Sequence, residues 1–362
     1  MLTMTQRVEA ARGQMVTEGI DLLTIPPGDD LLYLLGYTPH LDERPCYLFV
    51  GREEVLFLVP DLNAAAAAPR VPFPTLTYSD AAGPRGALRD ARTRLGLPRN
   101  VAVGDTMRAD GLLLLQDLWP EARFVPGAQV MAPLRMIKSA EEIATLRRAA
   151  ATADAAVRAV FGACRPGMRE TELARIAQEA LYAAGAQEVP FPIVGTGSNS
   201  AFPHHATSSR AVQAGEPVLA DLGGRLDGYM SDITRMAFLD TPTARYREIH
   251  AVVEEAVAAA LETIGPGVPI REVDLAARGV IERAGYGDKF THRTGHGIGV
   301  SGHELPSITH TNEQPLQVGM AFSVEPGIYL VGEFGVRLEE IVVVSERGAE
   351  ALSELSREIR IV

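Results

Sequence analysis

"GYMSDITRM", residues 228–236, has the β-branched and apolar residues of a strand, and these run on into Ala237, Phe238 and Leu239. Asp232 stands inside it, although Asp is among the residues that strands disfavour. A second apolar run, "PVLADLGG" (217–224), carries Asp221 in the same manner. The two runs read as a hairpin bearing two carboxylates. A further strand pair, "MAFSVEPGIYL" (320–330) and "GVRLEEIVVV" (335–344), bears Glu325 and Glu339. Glu340 follows directly but points to the opposite face of an extended chain, because side chains alternate along a strand.

Each hairpin has the same helical prelude. "RPGMRETELARIAQEALYAAG" (165–185) and "GPGVPIREVDLAARGVIERAG" (265–285) match in kind at an offset of 100, with Pro166-Gly167 against Pro266-Gly267 and Gly185 against Gly285. A long amphipathic helix precedes each copy. The first holds Ile143, Leu146, Ala150, Ala153, Val157 and Val160 at helical spacing, and the second holds Tyr246, Ile249, Val253, Val257, Leu261 and Ile264. Ser139 with Glu142 three residues on is the capping box that starts the first of them. A helix–helix–hairpin unit that occurs twice predicts an α+β domain with an internal pseudo-twofold, the two hairpins meeting at its centre.

The preceding residues read differently. "DLLTI", "CYLFV", "EVLFLV", "NVAVGD" and "ARFVP" are short strands, and "RGALRDARTRLG" and "ADGLLLLQDLW" are helices between them, an α/β alternation. "NAAAAAPR" is a helical turn or a loop. The expected domains are 1–135 and 136–362.

Composition excludes several classes of function. The chain of 362 residues is 46% hydrophobic and 22% charged, the balance of a globular protein with ample core. A net charge of −12 argues against a nucleic-acid or anionic-membrane surface. No apolar run approaches the roughly 20 residues of a membrane span, and Arg7, Glu9, Arg12 and Glu18 interrupt any secretory core at the N-terminus. Cys46 and Cys164 form neither a CxxC nor a disulfide framework. A cytoplasmic location is expected.

Four carboxylates on apolar strands at one centre need compensation. An unpaired buried charge costs several kcal/mol even after relaxation, so these carboxylates together would take up protons unless cations neutralised them. Two divalent metal ions balance four carboxylates. "HRTGHGIG" supplies an imidazole, His296, between Gly295 and Gly297, where the absence of a Cβ permits close approach to a metal. A lone strand Asp is usually a turn residue or an ion-pair partner. Two symmetry-related hairpins with two acids each are not four independent accidents. "GHGIG" lacks the Lys-Ser/Thr of a phosphate-binding loop.

The stretches "LADLGGRLDGYMSDITRM", "THRTGHGIGVSGHELP", "FSVEPGIY" and "GVRLEEIVVV", preceded by "SAFPHH", resemble the pita-bread metallopeptidases, in particular the proline-specific branch of Xaa-Pro dipeptidases (prolidases) and aminopeptidases P. The resemblance is strong over residues ~135–362 and extends to the rest only as an α/β pattern similar to a creatinase-type N-terminal domain. It implies that Asp221, Asp232, His296, Glu325 and Glu339 are the metal ligands, with Asp232 and Glu339 bridging, and that Mn²⁺ is bound, with Co²⁺ or Zn²⁺ as alternatives. It implies that Glu325 moves the proton and that His204 and His303 line the substrate pocket. The doubled histidine leaves His204 and His205 both open for the first of these, and His292 is expected to support the ligands without joining them.

The activity implied is hydrolysis of the Xaa-Pro bond. A dipeptide with proline in second position is the expected substrate, and aminopeptidase P action on longer peptides is the alternative. A binding module of this fold would lack ligands, and all five positions carry acceptable ones. A dipeptide enzyme needs a cation for the free carboxylate, preferably the bidentate fork of an arginine. Arg337, on the strand face of Glu339, and Arg44, at the end of "LDER", are the candidates. A homodimer is expected, with the N-terminal domain pairing the chains and covering the cleft.

Overall fold

In a computed structural model that describes residues 2–362, the chain divides into two compact units, Met1–Arg135 and Met136–Val362. The first is built on β1 (Leu22–Ile25), β2 (Tyr47–Gly51), β3 (Val55–Pro60), β4 (Thr75–Tyr78), β5 (Asn100–Val103) and β6 (Arg123–Pro126). They form one mixed sheet in the order β4-β3-β2-β1-β5-β6, antiparallel between β1, β2 and β3 and parallel elsewhere. Its helices are α1 (Met4–Glu18), α2 (Asp29–Leu35), α3 (Asp61–Ala67), α4 (Arg85–Leu95), α5 (Ala109–Leu118) and α6 (Ala128–Met136). Phe49, Leu56, Leu58, Leu115 and Trp119 pack into its core, which explains the near-continuous apolar runs of β2 and β3. The "NAAAAAPR" segment begins inside α3, so the helical alternative holds for its first residues.

The second unit realises the repeat. α7 (Ala140–Ala163) and α8 (Glu170–Ala183) precede β7 (Glu188–Thr196), β8 (Pro217–Leu226), β9 (Tyr229–Met230) and β10 (Ile233–Phe238). Then α9 (Ala244–Thr263) and α10 (Ile270–Arg283) precede β11 (Gly295–Gly297), β12 (Glu304–Ile308), β13 (Ala321–Val324), β14 (Gly327–Leu330), β15 (Phe334–Arg337), β16 (Glu340–Ser345), β17 (Gly348–Ala351) and β18 (Arg360–Ile361). The α8 and α10 boundaries differ by 100 residues at both ends, as the offset requires. The capping box is present: Ser139 Oγ accepts from Glu142 N at 3.3 Å, and Ser139 N donates to Glu142 Oε2 at 2.8 Å.

Each helix pair covers its own sheet. Val157, Val160, Leu173, Ala177 and Leu181 pack on the β7, β8 and β10 face, whereas Ile249, Val253, Val257, Val273 and Ile281 pack beneath β13 and β16. The first sheet runs β18-β10-β8-β7 with β9 on β8, and the second runs β12-β11-β13-β16-β17, with β14-β15 as a separate ribbon. They meet where Glu339 N donates to the Thr234 carbonyl at 3.2 Å.

The structure corrects the placing of the carboxylates. Asp221 lies inside β8, opposite Thr234. Asp232, Glu325 and Glu339 do not lie in strands; they occupy the two-residue breaks 231–232, 325–326 and 338–339. At a break the backbone leaves the ladder, which removes the penalty of Asp in a strand and frees the side chain's direction. Pro326, without an N–H, enforces one of these breaks. Among the described residues, no helix is long and apolar enough to cross a membrane.

Candidate metal centre

A pocket of about 420 Å³ opens where the two hairpins meet, and all five expected ligands line it. Ligand atoms of Asp221, Asp232 and Glu339 lie within 4.8 Å of one another, and so do those of His296, Glu325 and Glu339. A third such set joins Asp232, His296 and His303. Asp232 and Glu339 therefore each belong to two sets, the arrangement a bridging carboxylate needs.

Electrostatics describe a site built for cations. Burial first, then the charges of Glu339, Asp221 and Glu325, push the Asp232 carboxyl well above the usual range. Burial and the charges of Glu325 and Asp221 do the same to Glu339. Asp221 is also raised by burial, although Arg337 pulls against the shift. Burial would raise Glu325 too, but its hydrogen bond to His296 Nε2, at 3.2 Å, and the charges of His296 and Arg337 hold it down to about 2. Asp232 Oδ1 is buried without a hydrogen-bond partner. An orphaned carboxylate oxygen beside other acids fits a bound cation, since buried charges are otherwise paired.

Neighbouring groups fix the ligands. Ser323 Oγ donates to Glu325 Oε1 at 3.0 Å and accepts from His296 N at 3.0 Å, joining two candidate ligands through one hydroxyl. Thr234 Oγ1 donates to Glu339 Oε2 at 2.8 Å and accepts from Arg337 Nε at 3.1 Å. Thr234 and Tyr329 were not picked out by the sequence reading. Both lie in quoted motifs, and their hydroxyls gave no signal apart from that position.

Arg337 is engaged by groups of the chain itself. Its Nη2 pairs with Asp221 Oδ2 at 2.6 Å, and its Nη1 donates to Tyr329 OH at 3.1 Å and the Pro203 carbonyl at 3.2 Å. Counting its Nε bond to Thr234, every nitrogen is engaged in the wall of the site, and the fork is not open to a substrate carboxylate. It also supplies one positive charge, so two divalent ions do not stand against four uncompensated acids.

Arg44 is engaged by acids of its own unit. Its Nε and Nη2 clamp Asp80 at 2.9 and 3.1 Å, and its Nη1 meets Asp42 and Glu43 at 3.2 and 3.0 Å. The bidentate face offered for a ligand is already filled by Asp80.

The histidines separate by partner. His204 lines the pocket. His205 instead gives its Nε2 to Glu170 at 2.8 Å. The His303 ring stacks on that of His296, centroids 3.8 Å apart, and desolvation with the nearby His296 and Arg293 holds it down to about 4. His292 stands behind, with Nε2 on Tyr329 OH at 2.8 Å and Nδ1 on the Arg293 carbonyl at 2.7 Å, so it reaches Arg337 through Tyr329. Glu340 faces away and pairs with Arg235 at 2.6 Å and Arg357 at 3.1 Å. Gly295 and Gly297 serve strand packing: a Cβ would strike the Ser323 carbonyl at one and the Leu305 carbonyl at the other. Phe191, Ile193 and Pro203 form an apolar wall that the sequence reading did not anticipate.

A model of metallopeptidase family M24 matches residues 144–346, and one of the creatinase/prolidase N-terminal domain matches residues 7–137. The chain belongs to metallopeptidase family M24. It is 37% identical over 363 residues to a probable dipeptidase PepE of Mycobacterium tuberculosis, covering 99% of this chain and 96% of that one. It is 31% identical to a Xaa-Pro dipeptidase of Pyrococcus furiosus, covering 98% and 100%. A prolidase structure from Thermococcus sibiricus superposes with a TM-score of 0.96 at 30% identity, covering all of both chains. The M24 chain is a peptidase of the pita-bread fold with a creatinase-type N-terminal domain.

Two outcomes follow for the M24 site. Asp232→Asn replaces a carboxylate shared by two ligand sets with a poorer ligand, and elemental analysis is expected to find at least one metal fewer per chain; full occupancy would remove Asp232 from the ligand set. Arg44→Ala is expected to leave KM for a peptide substrate within about twofold of wild type, because Asp80 holds the fork; a selective rise in KM would restore Arg44 as a substrate contact.

Proposed function

We propose that this enzyme hydrolyses the peptide bond preceding proline in Xaa-Pro dipeptides, as a prolidase using two divalent metal ions per chain. The observation that carries the proposal is the membership of Glu339 in two ligand sets, one with Asp221 and Asp232 and one with His296 and Glu325, while Asp232 meets His296 again in a third set with His303. Such an oxygen-rich set with one imidazole suits Mn²⁺ first, with Co²⁺ or Zn²⁺ as alternatives. When bound, a pair of such ions supplies a water activated for attack at neutral pH and a Lewis acid for the scissile carbonyl.

The chain's own side chains do the remainder. Glu325, kept ionised by His296, accepts a proton from the nucleophile and returns it to the departing proline nitrogen. His204 and His303, at the pocket wall, donate hydrogen bonds to the oxygen that gains charge and to the proline residue. Phe191, Ile193 and Pro203 offer an apolar surface to the pyrrolidine ring. A dedicated site is needed because proline lacks an N–H and fixes φ, so peptidases that bind substrate as an added strand lose a hydrogen bond and meet a clash. The dipeptidase and prolidase names of the similar proteins support the short substrate.

A homodimer in the cytoplasm completes the proposal, with Met1–Arg135 as the pairing unit. Two buried free cysteines, Cys46 and Cys164, suit a reducing compartment. Sedimentation of the whole enzyme at micromolar concentration tests the dimer, and a monomer would refute it.

Chelation is expected to abolish turnover, and Mn²⁺ to restore it. Xaa-Pro dipeptides should be cleaved at least about tenfold faster than Xaa-Ala, a difference in barrier of about 1.4 kcal/mol. A wild-type enzyme that prefers Xaa-Pro-Xaa tripeptides would make it an aminopeptidase P, and equal turnover of Xaa-Ala would end the proline reading.

A further inference from the structure

Glu170, in the first turn of α8, is buried and accepts six hydrogen bonds. Oε1 receives Thr196 N at 2.8 Å, Thr196 Oγ1 at 3.0 Å and Asn199 Nδ2 at 2.9 Å. Oε2 receives His205 Nε2 at 2.8 Å, Ser208 N at 2.9 Å and Ser208 Oγ at 2.6 Å. Burial alone would raise its carboxyl, but these donors hold it down to about 2. Every donor belongs to the segment 196–208, which starts at the last residue of β7 and continues through a short 3₁₀ turn at Gly197–Ala201. That same segment brings Pro203 and His204 to the pocket. It is fastened elsewhere as well: Arg337 holds the Pro203 carbonyl, Ser200 Oγ accepts from Gly335 N at 2.9 Å, and Thr207 Oγ1 accepts from Val194 N at 3.0 Å.

The second half of the repeat contains the same device. Asp274 on α10 is buried and accepts from Thr294 N at 3.1 Å and Thr294 Oγ1 at 2.7 Å. Thr294-Gly295 leads directly into His296, as Thr196-Gly197 leads into the His204 segment. In each half, a buried acid from the second helix holds a Thr-Gly pair ahead of an imidazole that faces the site.

We infer that Glu170 is a positioning residue for the reaction: it acts through the segment 196–208 to hold His204 against the substrate, and it holds no metal. The inference rests on the Xaa-Pro reading and on the pocket role of His204. The five candidate ligands lie on β8, on β11 and at the three strand breaks, all outside this segment. Disturbing Glu170 should therefore uncouple the imidazole from the metals. A carboxylate is required because all six partners present hydrogens, and an amide would turn one acceptor into a donor facing donors.

The test compares wild type, Glu170→Gln, His204→Ala and the double variant in the full-length, metal-loaded enzyme. Glu170→Gln is expected to keep its metal content, to lose roughly ten- to hundredfold in kcat with a smaller change in KM, and to show faster hydrogen exchange at the Thr196 and Ser208 amides. In the His204→Ala background the same substitution should change kcat by less than about twofold, the non-additivity of residues acting as a unit. A kcat within twofold of wild type, or an undiminished loss in the His204→Ala background, would overturn the inference. If Glu170→Gln does not fold, Ser208→Ala decides: a partial kcat loss with full metal content supports the role, and an unchanged kcat refutes it. Wild-type turnover of Xaa-Pro dipeptide is the control, since its failure would sink the functional reading and not the anchoring of the segment, which exchange reads directly.

Discussion

Four carboxylates brought within reach of one another, in a buried place with the Arg337 guanidinium beside them, are the constraint on which this fold depends. Like charges at this separation raise one another's affinity for protons, as the direction of the shifts at Asp232 and Glu339 shows. No helix–helix–hairpin unit would adopt the arrangement for stability alone, because a well-packed apolar centre of the same volume is usually at least as stable as buried ions. The acids are tolerable because a cation completes them, and the scaffold keeps them in place when it is absent. Thr234 and Ser323 do this at the cost of two hydroxyls, each of which links two groups of the centre.

The duplication explains how one chain meets the constraint. Each half contributes a rigid helix pair with its own apolar core, and each brings two acids to the seam. Three of the four leave their strands to get there. A side chain inside a ladder is committed to one face by the alternation of the pleat, whereas residues 231–232, 325–326 and 338–339 can turn toward a common point. Asp221 can stay in β8 because Arg337 reaches across to it.

Much of this was legible in the residues. The offset of 100 placed α8 and α10, and the motif spacing located all five candidate ligands, because strong periodicity and clustered acids are local signals. Glu340 was separated from Glu339 by strand alternation, and Arg235 holds it on the far side. What depended on distant partners was not legible. Arg44 resembled a free cation because Asp80, which fills its fork, lies 36 residues away. Arg337 looked available for substrate because the hydroxyl of Tyr329 carries no warning that it will be used. The partner that sets His205 apart from His204 is Glu170, a residue that reads as an ordinary helix-start acid. Strand breaks were missed for another reason: apolar and β-branched residues on either side of Asp232 give the same pattern whether or not the ladder is interrupted.

The two halves end differently on the same scaffold. After Thr294-Gly295 the chain continues straight into β11, so His296 arrives on a strand tied to both β12 and β13. A ligand must hold its position to a few tenths of an ångström, and a strand within a sheet provides that rigidity. After Thr196-Gly197 the chain instead enters an irregular segment, and His204 arrives on a loop fastened at Glu170 and Arg337. Such a mount leaves its imidazole freer in direction than a strand within a sheet does. In each half a buried acid of the second helix thus anchors a Thr-Gly pair, and the chain beyond that pair runs directly to His296 in one half and through an irregular loop to His204 in the other.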